Sequence, residues 1–413
     1  MSSSNLLIVG FVWPEPKSSA AGSRMLQLID QFLAQSYEIT FACAANTSDN
    51  TYDLSQLGVQ TQTIALNDAS FDSFITKLNP DVVLFDRFMI EEQYGWRVAE
   101  HCPNALRILD TEDLHGLRKA RAQALKANET YEYKHLLNDF TKREIASIYR
   151  CDLSLIISEF EMNLLTQHFK IDSKLLLYLP FLLEAISDTV KAQFPTYEHR
   201  SNFMIIGNFL HKPNTDAILH LKKSIWPVIR KALPKAEVHI YGAYSSEKSL
   251  QLHNEDEGFI VKGGVEEVDP IMKNYRVCLA PLRYGAGLKG KVFDAIKNGT
   301  PCMMSQIAAE GIFKVEEASL LIENDPIEFA NKAIALFTNP NTWAEARQKG
   351  FEILSTRFDK QTFEANFKEK LNYITSNIVS HRESNIIGQV LSHQSMKSTK
   401  YMSKWIEAKN RAN

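Results

Sequence analysis

The stretch APLRYGAGLKGKVFDAIKNGTP occupies residues 280–301 and decides the fold. The apolar run Val277–Ala280 predicts a buried strand, and Lys291–Asn298 predicts a helix. Gly299-Thr-Pro301 then stops the helix before another short apolar run. In open α/β sheets, ligands bind outside the carboxyl ends of the strands. The loop between this strand and this helix is therefore where we expect a ligand.

That loop carries three glycines and three cations, Arg283, Lys289 and Lys291. Glycine lets a backbone approach a ligand closely, and the cations can hold a diphosphate through charge-assisted hydrogen bonds. Asp294 lies one turn into the helix, where its carboxylate could take a ribose diol. A charge run is usually only a solvated face, but the interleaved glycines favour a ligand site.

Short apolar runs alternate with amphipathic stretches along both halves of the chain, and the regularity lapses only between Leu179 and Pro195. This predicts an α/β fold with two doubly wound, Rossmann-like domains that face each other across a cleft. The predicted division is a first domain (1–180), a linker (181–200), a second domain (201–358), a helix (359–376) and a tail (377–413). The tail has six Lys or Arg against two Glu, and we expect it to be separately packed or partly disordered.

The first loop of each half is a second kind of candidate. Residues 11–24 are rich in small residues, and the helix that opens near Gly22 offers the positive end of its dipole to an anion. Gly207 and Asn208 leave the first strand of the second half, with a histidine and a lysine beside the next helix. Each loop is either a phosphate or sugar contact or a plain turn with capping residues, since neither contains G-x-G-x-x-G.

Carboxylates follow two strands of the first half, at Asp86 and at Asp110-Thr-Glu-Asp113, with His115 just beyond. Carboxylates at strand ends can orient sugar hydroxyls or assist proton transfer. Clustered carboxylates also suit Mg²⁺ or Mn²⁺, and helix N-caps at Asp110 or Asp113 explain the pattern at least as well. The eleven histidines form no H-x-x-x-H pair, so we do not expect a zinc site.

The composition and charge argue against several classes of protein. A net charge of −3 gives no basic field for nucleic acid, and no apolar run approaches the ~20 residues of a spanning helix. The amino-terminal MSSSNLLIVGFVW reads as a first strand rather than a signal peptide. Five widely spaced cysteines, never in a C-x-x-C pair, fit reduced thiols. We therefore expect a cytoplasmic protein.

Together these motifs resemble family-four glycosyltransferases, in particular bacterial members with Gly-x-Gly-x-Lys before the acidic helix. The resemblance rests on Gly207-Asn208, on His211-Lys-Pro-Asn214, and on residues 283–294 followed by Asn298-Gly-Thr-Pro301. It implies the GT-B fold, with a nucleotide-sugar donor on the second domain and a glycan or lipid-linked acceptor on the first. It also implies retention of configuration, no metal or other cofactor, and a helix over Thr362–Ile374 that crosses back to the first domain.

The resemblance also implies roles for individual residues. The diphosphate would be held by Arg283, Lys289 and Lys291, and the ribose by Asp294. The remaining expected donor contacts are Gly22 at the phosphates, Gly264 and Val265 at the base, and Asn208. On the acceptor side we expect Asp86, Glu112 and His115.

Two departures from the family pattern affect these roles. The family's Glu-x7-Glu ends here at Asp294, and Gly285 or Ala286 stands in the place of its first Glu. That Glu's role is either absent or supplied by Lys289 or Glu310. Glu112 stands nearest to the position where many relatives carry a His. The expected catalytic residues are accordingly Arg283, Lys289 and Glu112.

The expected function is sugar transfer in bacterial surface-glycan synthesis. A catalytically silent nucleotide-sugar-binding protein and a nucleotide-sugar epimerase on the same fold remain alternatives. Cations in the helix Leu117–Lys126 and in the tail could touch anionic lipid, although a solvated helix face is the favoured explanation.

Overall fold

The computed structural model describes residues 4–412, apart from the side chains of residues 394–396, 411 and 412. The first domain is built on a seven-stranded parallel sheet with the order β3-β2-β1-β4-β5-β6-β7. Its strands are β1 Ser4–Gly10, β2 Tyr37–Cys43, β3 Gln60–Thr63, β4 Val82–Asp86, β5 Leu106–Asp110, β6 Leu153–Ile156 and β7 Leu176–Tyr178. Its helices are α1 Ala20–Leu33, α2 Ser70–Leu78, α3 Phe88–His101, α4 His115–Ala127, α5 Asp139–Arg150 and α6 Glu159–Asn163, and α7 Asp188–Ala192 follows in the linker.

The second domain has a five-stranded parallel sheet with the order β10-β9-β8-β11-β12. Its strands are β8 Ser201–Ile206, β9 Val238–Tyr241, β10 Phe259–Gly263, β11 Tyr275–Ala280 and β12 Cys302–Met304. Its helices are α8 Lys212–His220, α9 Trp226–Ala232, α10 Glu247–Leu250, α11 Asp269–Met272, α12 Gly290–Lys297, α13 Gln306–Ala309, α14 Pro326–Thr338 and α15 Pro340–Arg357. The predicted α/β class with two parallel, doubly wound sheets is confirmed.

Each sheet is sandwiched because its central strands are apolar on both faces. In β1, Leu6 and Ile8 pack with α1 on one side, while Leu7 and Val9 pack towards α2 and α3 on the other. The second sheet carries a single large core. Because both faces of each sheet are covered, the loops that follow the carboxyl ends of the strands remain accessible, and there the loops of the two domains meet.

The chain returns to the first domain after α15. Helix α16, Lys360–Ser376, buries Phe367, Leu371 and Ile374 in the core beside α1, and the Phe367 and Phe32 rings meet edge to face at 5.3 Å. The predicted crossing-back helix is therefore present.

The tail differs from the expectation of a separately packed or partly disordered segment. It forms helices α17 Ile378–Glu383 and α18 Ile386–Ala412, and α18 packs on α3 and α5 of the first domain. Arg382 pairs with Asp152 at 2.7 Å, so part of the tail's positive charge is used internally. Asn413, the last residue of the predicted tail, lies outside the described residues. Within residues 4–412, every helix is too short or too polar to span a lipid bilayer.

Candidate active site

The glycine-rich loop of the second domain touches the first domain directly. The Gly287 N–H donates to Glu161 Oε1 at 2.8 Å, and Arg121 donates to the Gly285 carbonyl at 2.8 Å. Arg121 also pairs with Glu310 of the second domain at 2.6 Å. The carboxyl ends of the two sheets are thus brought face to face, with charged side chains from both domains between them.

Two helix N-termini converge at this junction. A Cβ built on Gly290, the first residue of α12, would lie 2.6 Å from the Cβ of Ala20, the first residue of α1. The positive dipole ends of both helices therefore share one location, although Ser19 Oγ already accepts from the Gly22 N–H at 3.1 Å. Such a location favours an anionic group.

Two of the predicted cations lie beside these N-termini. Lys289 caps α12 and is buried, and its ammonium donates to the Ala286 and Gly287 carbonyls at 3.1 and 2.6 Å. The Lys291 ammonium donates to Asn214 Oδ1 at 2.7 Å. In the described part of the chain, neither ammonium is ion-paired with a carboxylate. Burial lowers the pKa of both lysines, that of Lys291 to about 8.

Arg283 is placed differently from the two lysines. Its guanidinium forms a bidentate ion pair with Asp216 of α8, with Nε to Oδ2 at 2.9 Å, and the Arg283 side chain is 40% exposed. The hydrogen bond to Asp216 raises the Arg283 pKa. Arg283 thus differs from Lys291 in having a carboxylate partner, although Lys291 contacts Asn214, two residues before Asp216 in the same helix.

Asn208 and Gly22 occupy the two first loops. The Asn208 side chain reaches across to the Ser18 carbonyl at 3.4 Å, so the two loops meet. Gly22 is buried, and a Cβ there would lie 2.4 Å from the backbone of Glu15. The glycine is needed for the packing of its own loop, a reason that the sequence pattern does not reveal.

The three remaining donor candidates follow the second sheet. Gly264 and Val265 follow β10, and a Cβ on Gly264 would lie 3.7 Å from Cα of Ala243. Asp294 lies one turn into α12, where burial raises its pKa to about 6 against the opposing effect of Lys297. A cavity of about 620 Å³ lies beyond the C-terminal end of α12, between α1 and the linker, and none of the predicted site residues lines it.

The N-cap reading of the first-domain carboxylates is wrong. Helix α4 begins at His115, and its first two N–H groups are accepted by Glu144, both at 2.6 Å. Asp110 is fully buried and holds Arg24 of α1 through two prongs, with the shortest contact at 2.8 Å. Asp113 pairs with Arg118. Among the described residues, no three His, Cys, Asp or Glu side chains converge as metal ligands would.

The predicted acceptor-side residues lie around this ion-paired cluster. Asp86 Oδ2 accepts from the Phe11 N–H at 2.9 Å, and within the described residues its buried Oδ1 accepts no hydrogen bond but lies 3.5 Å from Arg87 Nε. His115 Nδ1 lies 3.2 Å from Asp113. Glu112 has a left-handed backbone (φ 61°), and burial, followed by repulsion from Asp110, raises its pKa to about 8. This environment favours the protonated form of Glu112.

Glu161 and Arg121 were not predicted. Glu161 is fully buried, its Oε1 links Leu114 and Gly287 across the domains, and its Oε2 has no partner within the described residues. Burial and the nearby Asp113 raise its pKa to about 8. In the sequence, Glu161 lies in a short amphipathic helix, and nothing there marks it as different from a surface carboxylate.

Solved structures share this two-domain architecture. Sucrose-phosphate synthase from Thermosynechococcus elongatus superimposes with a TM-score of 0.67 over 91% of this chain and 100% of its own, at 13% identity. Anabaena HepE in complex with UDP-glucose gives 0.66 over 89% and 99%, at 11% identity. The chain has the GT-B fold.

The GT-B domain that carries the glycine-rich loop is also matched in sequence. Residues 200–339 match the family described as Glycosyl transferases group 1, which covers the second domain from β8 to the end of α14. The sequence match and the structural likeness thus coincide on the domain that carries the glycine-rich loop. A curated relative, an uncharacterized 44.6 kDa protein in the cps region of Klebsiella pneumoniae, is 23% identical over 58% of this chain. That match spans 61% of the relative's length. A solved structure of Staphylococcus aureus TarM superimposes with a TM-score of 0.55 at 14% identity, over 74% of this chain and 58% of its own.

Proposed function

We propose that this protein is a retaining glycosyltransferase that transfers a sugar from a nucleotide-sugar donor to a carbohydrate or lipid-linked acceptor in bacterial surface-glycan synthesis. The observation that carries the proposal is the convergence of two helix N-termini with Lys289 and Lys291 at the domain junction. A nucleotide diphosphate is the anion that such a site would stabilise as it leaves. No metal or other cofactor is part of the proposal.

The solved neighbours support these classes of substrate. HepE is described in complex with UDP-glucose, and S. aureus TarM with UDP and α-GlcNAc-glycerol. WaaB is described as a lipopolysaccharide outer core galactosyltransferase. The cps-region relative supports a role in bacterial polysaccharide synthesis.

In the proposed mechanism, the acceptor hydroxyl attacks the anomeric carbon from the face that the diphosphate leaves, the bond from that carbon to the diphosphate oxygen breaks, and the hydroxyl proton passes to the departing diphosphate. Lys289 and Lys291 neutralise the leaving diphosphate, and Arg283 joins them by exchanging Asp216 for a phosphate oxygen. Asp294 holds the ribose, with Asn208, Gly264 and Val265 along the nucleotide. Glu112, Asp86 and His115 orient the acceptor hydroxyl, and the proton of Glu112 lets it donate a hydrogen bond.

Product analysis tests the proposal. The purified protein is incubated with a panel of nucleotide-sugars, with and without a glycan acceptor extract, and nucleoside diphosphate release and the anomeric configuration of the product are measured. Acceptor-dependent release with retention is expected. Sugar epimerisation without an acceptor would identify an epimerase instead, and binding without turnover would indicate a silent binding protein.

A further inference from the structure

Helix α18 has an unusual distribution of polarity. A helix that packs on a domain in water normally turns its apolar side chains inward. In α18, Ser403 and Glu407 face inward and bind Arg97, and Lys400 pairs with Glu100 at 2.5 Å. The helix is thus attached to the first domain largely through polar groups.

The opposite side of α18 is apolar and exposed. We call it the outer face, and it comprises Ile387, Val390, Tyr401, Met402 and Trp405. Tyr401, Met402 and Trp405 are 65%, 59% and 60% exposed. Their spacing places them on one side of the helix, about half a turn from Ser403. Tyr401, Met402 and Trp405 at its carboxyl-terminal end form an exposed apolar patch, and such patches mark interaction sites.

The charges on this helix indicate what covers the outer face. Lys397, Lys404 and Lys409 are exposed and flank the apolar residues. Within residues 386–410, the only carboxylate is Glu407, which is already paired with Arg97. Two copies packed through this face would bring their lysines together with no carboxylate to neutralise them. An anionic surface would neutralise the lysines, and tryptophan and tyrosine favour the boundary between lipid and water.

We propose that the outer face of α18 docks on an anionic lipid surface, with its aromatic and aliphatic side chains in the headgroup region and its lysines at the phosphates. The proposal does not rest on the proposed function, because lipid binding requires neither donor nor acceptor. It also distinguishes the tail from α4, where Arg118 and Arg121 are already paired with Asp113 and Glu310.

The protein offers a built-in probe for this surface. Of its five tryptophans, Trp405 is 60% exposed, while Trp13, Trp96, Trp226 and Trp343 are at most 7% exposed. Quenching of tryptophan fluorescence by brominated lipid therefore reports on Trp405. Trp405→Phe should keep vesicle binding and lose most of the quenching, which separates contact of this residue from binding elsewhere.

The test is sedimentation of the full-length protein with phosphatidylcholine vesicles, with and without phosphatidylglycerol. We expect binding only with phosphatidylglycerol, weakened by salt. Replacing Lys404 and Lys409 with Gln should weaken binding about fivefold per lysine. Replacing the exposed second-domain lysines Lys231 and Lys248 with Gln is the matched control and should change little.

Two results would overturn the proposal. One is the absence of binding to phosphatidylglycerol vesicles at low salt, or binding that the Lys404 and Lys409 variants leave unchanged. The other is a dimer in sedimentation equilibrium that Trp405→Ser abolishes, since a second copy would then cover the outer face. Because the exposed positions are replaced without disturbing the core, unchanged circular dichroism should accompany each variant.

Discussion

The charged groups of the two domains are organised differently at the cleft. In the first domain, cations meet carboxylates, as Arg24 does with Asp110 and Arg118 with Asp113. In the second domain, Lys289 and Lys291 meet neutral oxygens of backbone and amide groups. The first arrangement neutralises itself, whereas the second leaves positive charge for an anion. On this difference we base the proposal that the second cluster binds a ligand, whereas part of the first has a largely structural role.

The largest expected effect tests the structural role of the ion pair between Arg24 and Asp110 in the first domain. Arg24→Ala would leave Asp110 buried without its partner, which typically costs about 3–5 kcal/mol of unfolding free energy. Arg143→Ala is the matched control, because its ion pair with Glu92 is exposed and should contribute under ~1 kcal/mol. Equilibrium urea unfolding measures both. Equal, small losses would show that Asp110 is not held by Arg24 alone.

The next effect tests the proposed diphosphate site in the second domain. Lys291→Ala should lower kcat/KM by about 100- to 1000-fold, equivalent to ~2.7–4 kcal/mol of transition-state stabilisation, with little change in unfolding. Arg283→Ala measures whether that residue leaves Asp216 for the diphosphate. Lys262→Ala, an exposed lysine on β10, is the control. Near-normal turnover of both the Lys291 and Arg283 variants would remove the proposed diphosphate site.

The pH dependence of nucleoside diphosphate binding tests the role of the Lys291 charge in a second way. Because the Lys291 pKa is lowered to about 8, its positive charge is present below pH 8 and lost above it. Affinity for a nucleoside diphosphate should therefore fall by up to about tenfold per pH unit above 8 if binding requires the charged lysine. In Lys291→Arg the charge persists, and the fall should disappear. Calorimetric titrations at several pH values would reveal an unchanged profile if Lys291 does not contact the ligand.

The last prediction concerns Glu161 at the junction of the two regions. Its pKa is raised from an ordinary 4.5 to about 8, so between these values the folded protein holds a proton that the unfolded chain has released. Stability should fall as the pH rises through this window. Glu161→Gln should make the fall in Tm shallower, whereas Glu345→Gln, at an exposed position, should not. An identical slope in both variants would contradict the raised pKa.

Much of this organisation is predictable because it depends on local patterns. The apolar runs Leu6–Val9 and Val277–Ala280 are strands, and the glycine-rich loop leads into α12 as expected. These features follow from short-range periodicity and helix stops, which a single sequence displays. The prediction that the helix Thr362–Ile374 crosses back to the first domain depends on the family resemblance and not on the composition of the helix.

The unpredicted features are contacts between distant residues. The sequence allows a capping role for Asp110, whereas the structure places Arg24, 86 positions away in the chain, beside it. Glu161 meets Gly287 across 126 positions, and Gly22 is required by the backbone of Glu15. The tail has a polar, cationic composition that is typical of disorder, but its ion pairs with Asp152, Arg97 and Glu100 hold it as a helix.

The most direct test of the central claim is isothermal titration of the wild-type protein and the Lys291→Ala variant with UDP, UDP-glucose and other nucleotide diphosphates. The account predicts that at least one of them binds the wild type and that the Lys291→Ala variant binds it at least 10-fold more weakly, with its folding intact. Binding of equal strength to both proteins, or no binding of any nucleotide to the wild type, would contradict the assignment of the second-domain loop as the donor site.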